Sequence, residues 1–122
     1  MQMLDTNMIL RYLLNDNEKM ADEAEKIIEE GSVHVTVEVM AEVVYVLKGV
    51  YAIERDAIKE SLLAFLSEVQ CTEMEVLRYG LEIYALNGLD FVDCILYAYN
   101  RIKGFEIKTF DKKLKNLWES EQ

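Results

Sequence analysis

Short apolar segments alternating with amphipathic helices predict an α/β fold, in which a small parallel sheet is flanked by helices. Three observations carry this. Apolar or β-branched runs too short for a helix recur between longer segments with helical periodicity. The chain has 122 residues, 52% of them hydrophobic, enough for one folded core. It has no proline and no Gly/Ser linker, so residues 1–122 read as a single domain with no internal repeat.

Taken in order, Met1–Leu4 reads as a short buried strand, and Asp5-Thr6-Asn7 supplies capping groups for a helix over Met8–Leu14. Asn17 opens an amphipathic helix to Glu30, with Met20, Ala24, Ile27 and Ile28 on one face. Val33–Val35 is a β-branched strand. Thr36 caps a helix from Val37 to Lys48, closed by Gly49. Glu54–Val69 is a further helix, with Ile58, Leu62, Phe65 and Leu66 in register. Cys71-Thr72 reads as a short strand, followed by helices over Glu75–Asn87 and Asp90–Lys103. Glu106–Thr109 is the last strand and Asp111–Trp118 the closing helix. Four of the five glycines (31, 49, 80, 88 and 104) follow a helical pattern, where a left-handed cap is expected. In a sheet of this kind, ligands sit beyond the carboxyl ends of the strands.

Composition narrows the function classes. No apolar run approaches the roughly 20 residues that span a bilayer, and Met1–Asp5 has no basic signal-like start; a soluble cytoplasmic protein is expected. Cys71 and Cys94 form no CxxC pair, which argues against zinc; they read as reduced, buried thiols. His34 is the only histidine, sits between Val33 and Val35 in a strand, and reads as structural. The balance of 13 basic and 23 acidic residues gives a net charge of −10, wrong for a protein that binds nucleic acid through a basic surface. Either the chain binds no nucleic acid, or it does so through metal ions and a local basic patch. Six of the 13 basic residues fall in one short stretch (Arg101, Lys103, Lys108, Lys112, Lys113 and Lys115).

The informative acids are those inside apolar segments. Asp5 ends the first strand. Glu42 lies within Val37–Leu47, where Glu38 is the only other charge; a helix that apolar is expected to be buried nearly all round. Asp93 lies within the apolar run Phe91–Tyr99. A lone buried carboxylate is costly, so each must be paired, neutral or bound to a cation. The helices holding Glu42 and Asp93 carry no internal Lys or Arg, and a shared divalent cation is an economical answer; all-oxygen ligands suit Mg²⁺ or Mn²⁺. Asp111, after the last strand, is a fourth candidate. The plain alternative is helix capping, which accommodates Asp5, Asp90 and Asp111 one by one but not Glu42 and Asp93.

These residues resemble the motifs of PIN domains, specifically the VapC-type toxin ribonucleases. Met3-Leu4-Asp5-Thr6-Asn7 is similar to the family's opening hydrophobic-Asp-Thr-Asn/Ser. Ala41-Glu42-Val43-Val44 is similar to its second block. Gly88 through Leu96, with Asp90 and Asp93, resembles the third, and Lys108-Thr109-Phe110-Asp111-Lys112-Lys113-Leu114 the fourth. Each block alone is weak; four in order, reaching to about Leu117, are specific.

The resemblance implies a three-layer α/β/α sandwich with a small central parallel sheet. It also implies an acidic pocket that binds Mg²⁺ or Mn²⁺ and hydrolyses RNA phosphodiesters. Asp5, Glu42 and Asp93 would form the central catalytic and metal-binding set, completed by Asp111. Asp90, one turn before Asp93, would be an auxiliary ligand. Thr6 and Thr109 would orient carboxylates or water, and Asn7 would fix the strand-to-helix turn. Lys108, Lys112 and Lys113 are candidate contacts to RNA phosphate, or else a solvated helix face. The expected partners are RNA, a cognate antitoxin and a second copy in a homodimer. The rival reading is a catalytically silent PIN fold that only binds protein or RNA; a nuclease directed at DNA, or an rRNA-processing enzyme without an antitoxin, is a third. Asn7 where haloacid dehalogenases place a second Asp, the lack of the acid pair of receiver domains and the lack of a GxxxxGK[ST] loop disfavour phosphotransfer and nucleotide triphosphate chemistry.

Overall fold

The structure, a computed structural model, describes residues 1–120. The elements run β1 (Gln2–Met3), α1 (Thr6–Leu14), α2 (Glu18–Glu29), β2 (Val33–His34), α3 (Val37–Gly49), α4 (Arg55–Leu66), α5 (Met74–Leu86), α6 (Phe91–Lys103) and α7 (Lys112–Ser120). β1 and β2 pair in parallel, Gln2 opposite Val33 and Met3 opposite His34. A single parallel bridge extends this pairing from His34 to Gln70, through Val35 N–H to Gln70 O at 2.8 Å and Gln70 N–H to Val33 O at 2.9 Å. The expected parallel sheet is therefore present but very small, with two strands among the described residues.

Two expected strands did not form. Cys71-Thr72 lies just past the bridge, because the sheet takes its third line from Gln70. Glu106–Thr109 runs outside any strand, and only Ile107 within it is buried. One buried side chain anchors that segment to the core; without a neighbouring strand its backbone makes no ladder.

The helices match their sequence signals closely. Asp5, Asn17 and Thr36 each cap the helix that follows, accepting from Met8 N–H, Met20 N–H and Val39 N–H. Asn15 ends α1 in the left-handed region (φ 51°), which Asn tolerates better than most residues. Of the glycines, only Gly31 and Gly104 take a positive φ among the described residues. Gly49 instead ends α3 as a helical residue, and Val50 takes the cap position. Gly80 lies inside α5, where a Cβ would stand 2.7 Å from Ile95 Cδ1 of α6. Its missing side chain is what lets α5 and α6 approach.

The core joins Leu4, Val33 and Val35 at the sheet to Ile9, Met40, Val43, Leu47, Ile58, Leu62, Phe65, Leu77, Leu81, Tyr97 and Leu114 on the helices. Cys94 belongs to it, whereas Cys71 is half-buried rather than fully enclosed; neither forms a disulfide. No helix among the described residues is long and apolar enough to cross a membrane.

Candidate active site

β1 and β2 run in parallel, so α1 and α3 both start at the carboxyl end of the sheet. This shared start positions the first pair of candidate residues. Asp5 is the last residue before α1. Its Oδ1 accepts from Met8 N–H at 2.9 Å, so the capping role is real and engages one of its two carboxylate oxygens. Thr6 follows, and its Oγ1 donates to Glu42 Oε2 on α3 at 2.5 Å. The hydroxyl of one sequence block thus orients the carboxylate of another, 36 residues away. Asn7 is exposed and faces a shallow depression shared with Asp5, Arg11 and Glu23.

The second group lies where α5 turns into α6. Asp90 is the N-cap of α6 in extended conformation, but its side chain makes no capping bond. Asp93 lies one turn on and is half-buried. Burial, then the charges of Asp111 and Asp90, push the Asp93 carboxyl above its ordinary value. Asp111 is brought there by the chain leading into α7. Its Oδ1 accepts from Leu114 N–H at 2.9 Å, and its own N–H donates to Thr109 Oγ1 at 3.0 Å. Asp111 is therefore a helix cap as well as a neighbour of Asp93. Ala41 of α3, beside Glu42, lines one cavity of about 400 Å³ with Asp90 and Asp93, while Glu42 itself does not line it. As the side chains stand, no three His, Cys, Asp or Glu among the described residues are grouped to hold a metal ion.

Glu42 and Asp93 were expected to be buried. Glu42 is exposed and Asp93 only half-buried, because α3 and α6 are not enclosed all round. Each turns part of its apolar surface outward: Tyr45 is 77% exposed and Val92 58%. Glu42 lies on the surface and Asp93 at the edge of an open cavity rather than in the core, which lowers the desolvation cost that their apolar neighbours implied.

Among the lysines, Lys108 Nζ pairs with Glu106 Oε1 at 2.8 Å, while Lys112 and Lys113 are exposed in the first turn of α7, next to Asp111. Lys113 shares a depression with Gly88 and Leu89 of the α5–α6 turn. His34 sits within the parallel pairing between Met3 and Gln70.

One residue of the site escaped the sequence reading. Arg55, the first residue of α4, lines the same cavity as Asp90 and Asp93. Its Nε donates to Tyr84 O at 2.8 Å, its Nη2 donates to Leu89 O, and its guanidinium lies 3.7 Å from the Tyr84 ring centroid. The sequence did hold one signal. A cation in the first turn of a helix opposes the helix dipole, so Arg55 needed another reason to be there.

A model of the PIN domain family matches residues 3–118, and the chain belongs to that family. The PIN domain is a nuclease-type fold; its members are generally hydrolases, and those that cleave usually use divalent metals. No curated protein and no solved structure matches the chain.

Proposed function

We propose that this PIN domain is a metal-dependent endoribonuclease that hydrolyses RNA phosphodiester bonds, and that it is the toxin of a VapBC-like toxin–antitoxin pair. The observation that carries the nuclease reading is the convergence of the four acidic blocks in pairs. Thr6, next to Asp5, holds Glu42, and Asp93 feels both Asp111 and Asp90. Within the family, the acids of these four blocks are the ones expected to carry catalysis. The toxin assignment follows from the likeness of the same four blocks to VapC-type members, and a cognate antitoxin and a homodimer go with it. The three-layer α/β/α sandwich of such proteins is the frame we assign to the helices around the small sheet.

The donor set fits a hard divalent cation, because Asp5, Glu42, Asp93 and Asp111 offer only carboxylate oxygens. Asp90 is the auxiliary candidate. Burial first, and then the charges of Asp111 and Asp90, raise the affinity of Asp93 for its proton. A cation would oppose that rise. Bound Mg²⁺ or Mn²⁺ lowers the pKa of coordinated water and neutralises charge on the scissile phosphate. The chain's own residues do the rest. Thr6 orients Glu42, Thr109 holds the backbone of Asp111, and the caps of α1 and α7 fix the positions of Asp5 and Asp111. Lys112 and Lys113 supply positive charge at the rim, where RNA phosphates approach an otherwise acidic surface.

The test is cleavage of total cellular RNA by the purified protein with Mg²⁺, with Mn²⁺ and with EDTA, beside Asp5→Asn. Asparagine is as good a helix cap as aspartate, so this variant removes the charge and keeps the fold. Discrete cleavage that needs metal and disappears in the variant is expected. Tight metal binding without cleavage of any RNA would favour a silent binding module. Absence of metal binding would overturn the acidic-site reading.

A further inference from the structure

We infer that Arg55 is a positioning residue for the cleft, locking the α5–α6 turn and so setting where Asp90 and Asp93 stand. The inference rests on the nuclease reading above. The geometry is a three-point clamp. Nε holds the carbonyl of Tyr84 in the last turn of α5, and Nη2 holds the carbonyl of Leu89, the residue before Asp90. The guanidinium plane lies over the Tyr84 ring. The Leu89 carbonyl also accepts from Cys94 Sγ at 3.8 Å, so α4 and the first turn of α6 hold the same oxygen.

Asn87, whose Nδ2 donates to Ile83 O at 3.1 Å, and the buried Leu89 also restrain this turn, on its α5 side and in the core. The Asp90 side chain makes no capping bond, so the entry to α6 lacks the restraint that Asp5 gives α1. Gly88 is exposed and meets nothing where a Cβ would be. Arg55 restrains the entry to α6 from another helix, by holding carbonyl oxygens rather than by capping N–H groups. It acts on Asp93 through the backbone it holds, since the carbonyl it binds belongs to the residue before Asp90. A planar fork is needed to hold two carbonyls and stack on a ring at once; a lysine ammonium cannot do all three.

The experiment compares wild type, Arg55→Lys and Arg55→Met, the last keeping the apolar stem. Amide hydrogen exchange is followed at Cys94, whose N–H bonds to Asp90 O in the first turn of α6, with Ala24 in α2 as the distant reference. Mn²⁺ affinity and the kcat and KM for RNA cleavage are measured on the same samples. Both variants are expected to exchange about tenfold faster at Cys94 and not at Ala24. Both are expected to lose roughly 10–100-fold in Mn²⁺ affinity or kcat, with KM little changed.

Unchanged exchange at Cys94 overturns the clamp. Faster exchange with unaltered kcat and Mn²⁺ affinity also overturns the inference, since Arg55 would then serve only the fold. A rise in KM that lysine rescues overturns it in favour of direct contact with RNA phosphate. A wild type that neither binds Mn²⁺ nor cleaves RNA brings down the nuclease reading, and the inference with it. An active wild type with equally active variants brings down the inference alone.

Discussion

Gly80 controls how close α5 comes to α6, and α6 carries Asp93. Replacing it with alanine sets two effects against each other. Alanine in a helix interior is favoured over glycine by about 1 kcal/mol. Against that, the new Cβ would lie 2.7 Å from Ile95 Cδ1, while the next atoms, Ile95 Cγ1 and Cys94 O, are at 3.6 and 3.8 Å. Only one atom truly collides, and it is the end of a side chain. Ile95 is 5% exposed, however, so the methyl has little room to swing. Forcing it costs about 0.5–1.5 kcal/mol if it only leaves its rotamer and about 1–3 kcal/mol if neighbours must move. Gly80→Ala should therefore lie between about 0.5 kcal/mol stabilising and about 2 kcal/mol destabilising. Ile95→Val deletes the colliding methyl, at about 0.5–1.5 kcal/mol by itself. In that background the collision is gone, and Gly80→Ala should stabilise by about 1 kcal/mol. Urea denaturation of the four proteins measures the cycle. Coupling of about 0.5–3 kcal/mol, favouring the double variant, is expected. Additivity within about 0.5 kcal/mol would refute the close approach of the two helices.

Two further outcomes bear on the site. Thr6→Val removes the hydroxyl that orients Glu42 and should lower single-turnover RNA cleavage or metal affinity by roughly 10–100-fold, with Thr6→Ser restoring most of it; a fully active valine variant would show that Glu42 needs no orienting. Asp93→Asn should make the protein more stable in EDTA at neutral pH. The native Asp93 pKa is raised above its unfolded value, so the folded state holds the proton longer, and its contribution to stability falls as pH rises from the ordinary carboxylate value through the raised one. Subtracting the variant's urea-melt profile from that of wild type between pH 3 and 8 isolates this slope, and a flat difference would contradict it. A divalent cation should reverse the order, since at 100 times its dissociation constant a ligand stabilises the binding-competent protein by about 2.7 kcal/mol and the variant forfeits much of that.

The helices were legible because their signals are local. Caps at Asp5, Asn17 and Thr36 and the apolar stripes of α2 and α4 need only near neighbours to be read. The strands were less so. Strand pairing depends on a partner distant in sequence, and Val33–His34 found one in Gln2–Met3 whereas Glu106–Thr109 did not. The burial of Glu42 and Asp93 was overestimated for a related reason: an apolar helix is read as enclosed, but α3 and α6 leave Tyr45, Val92 and Leu96 facing outward.

The sequence by itself determined the helical segments, the parallel character of the sheet and the family. Residue type, spacing and capping chemistry are properties of the chain, whatever its neighbours. Tertiary structure decided what the side chains do for one another. It set Thr6 against Glu42 across 36 residues. It placed Asp111 within the electrostatic reach of Asp93, and it drew Arg55 from the start of α4 onto the turn that carries Asp90. Hydrogen bonds and charge–charge repulsion depend on distance in space, and for residues this far apart in the chain only the fold sets that distance.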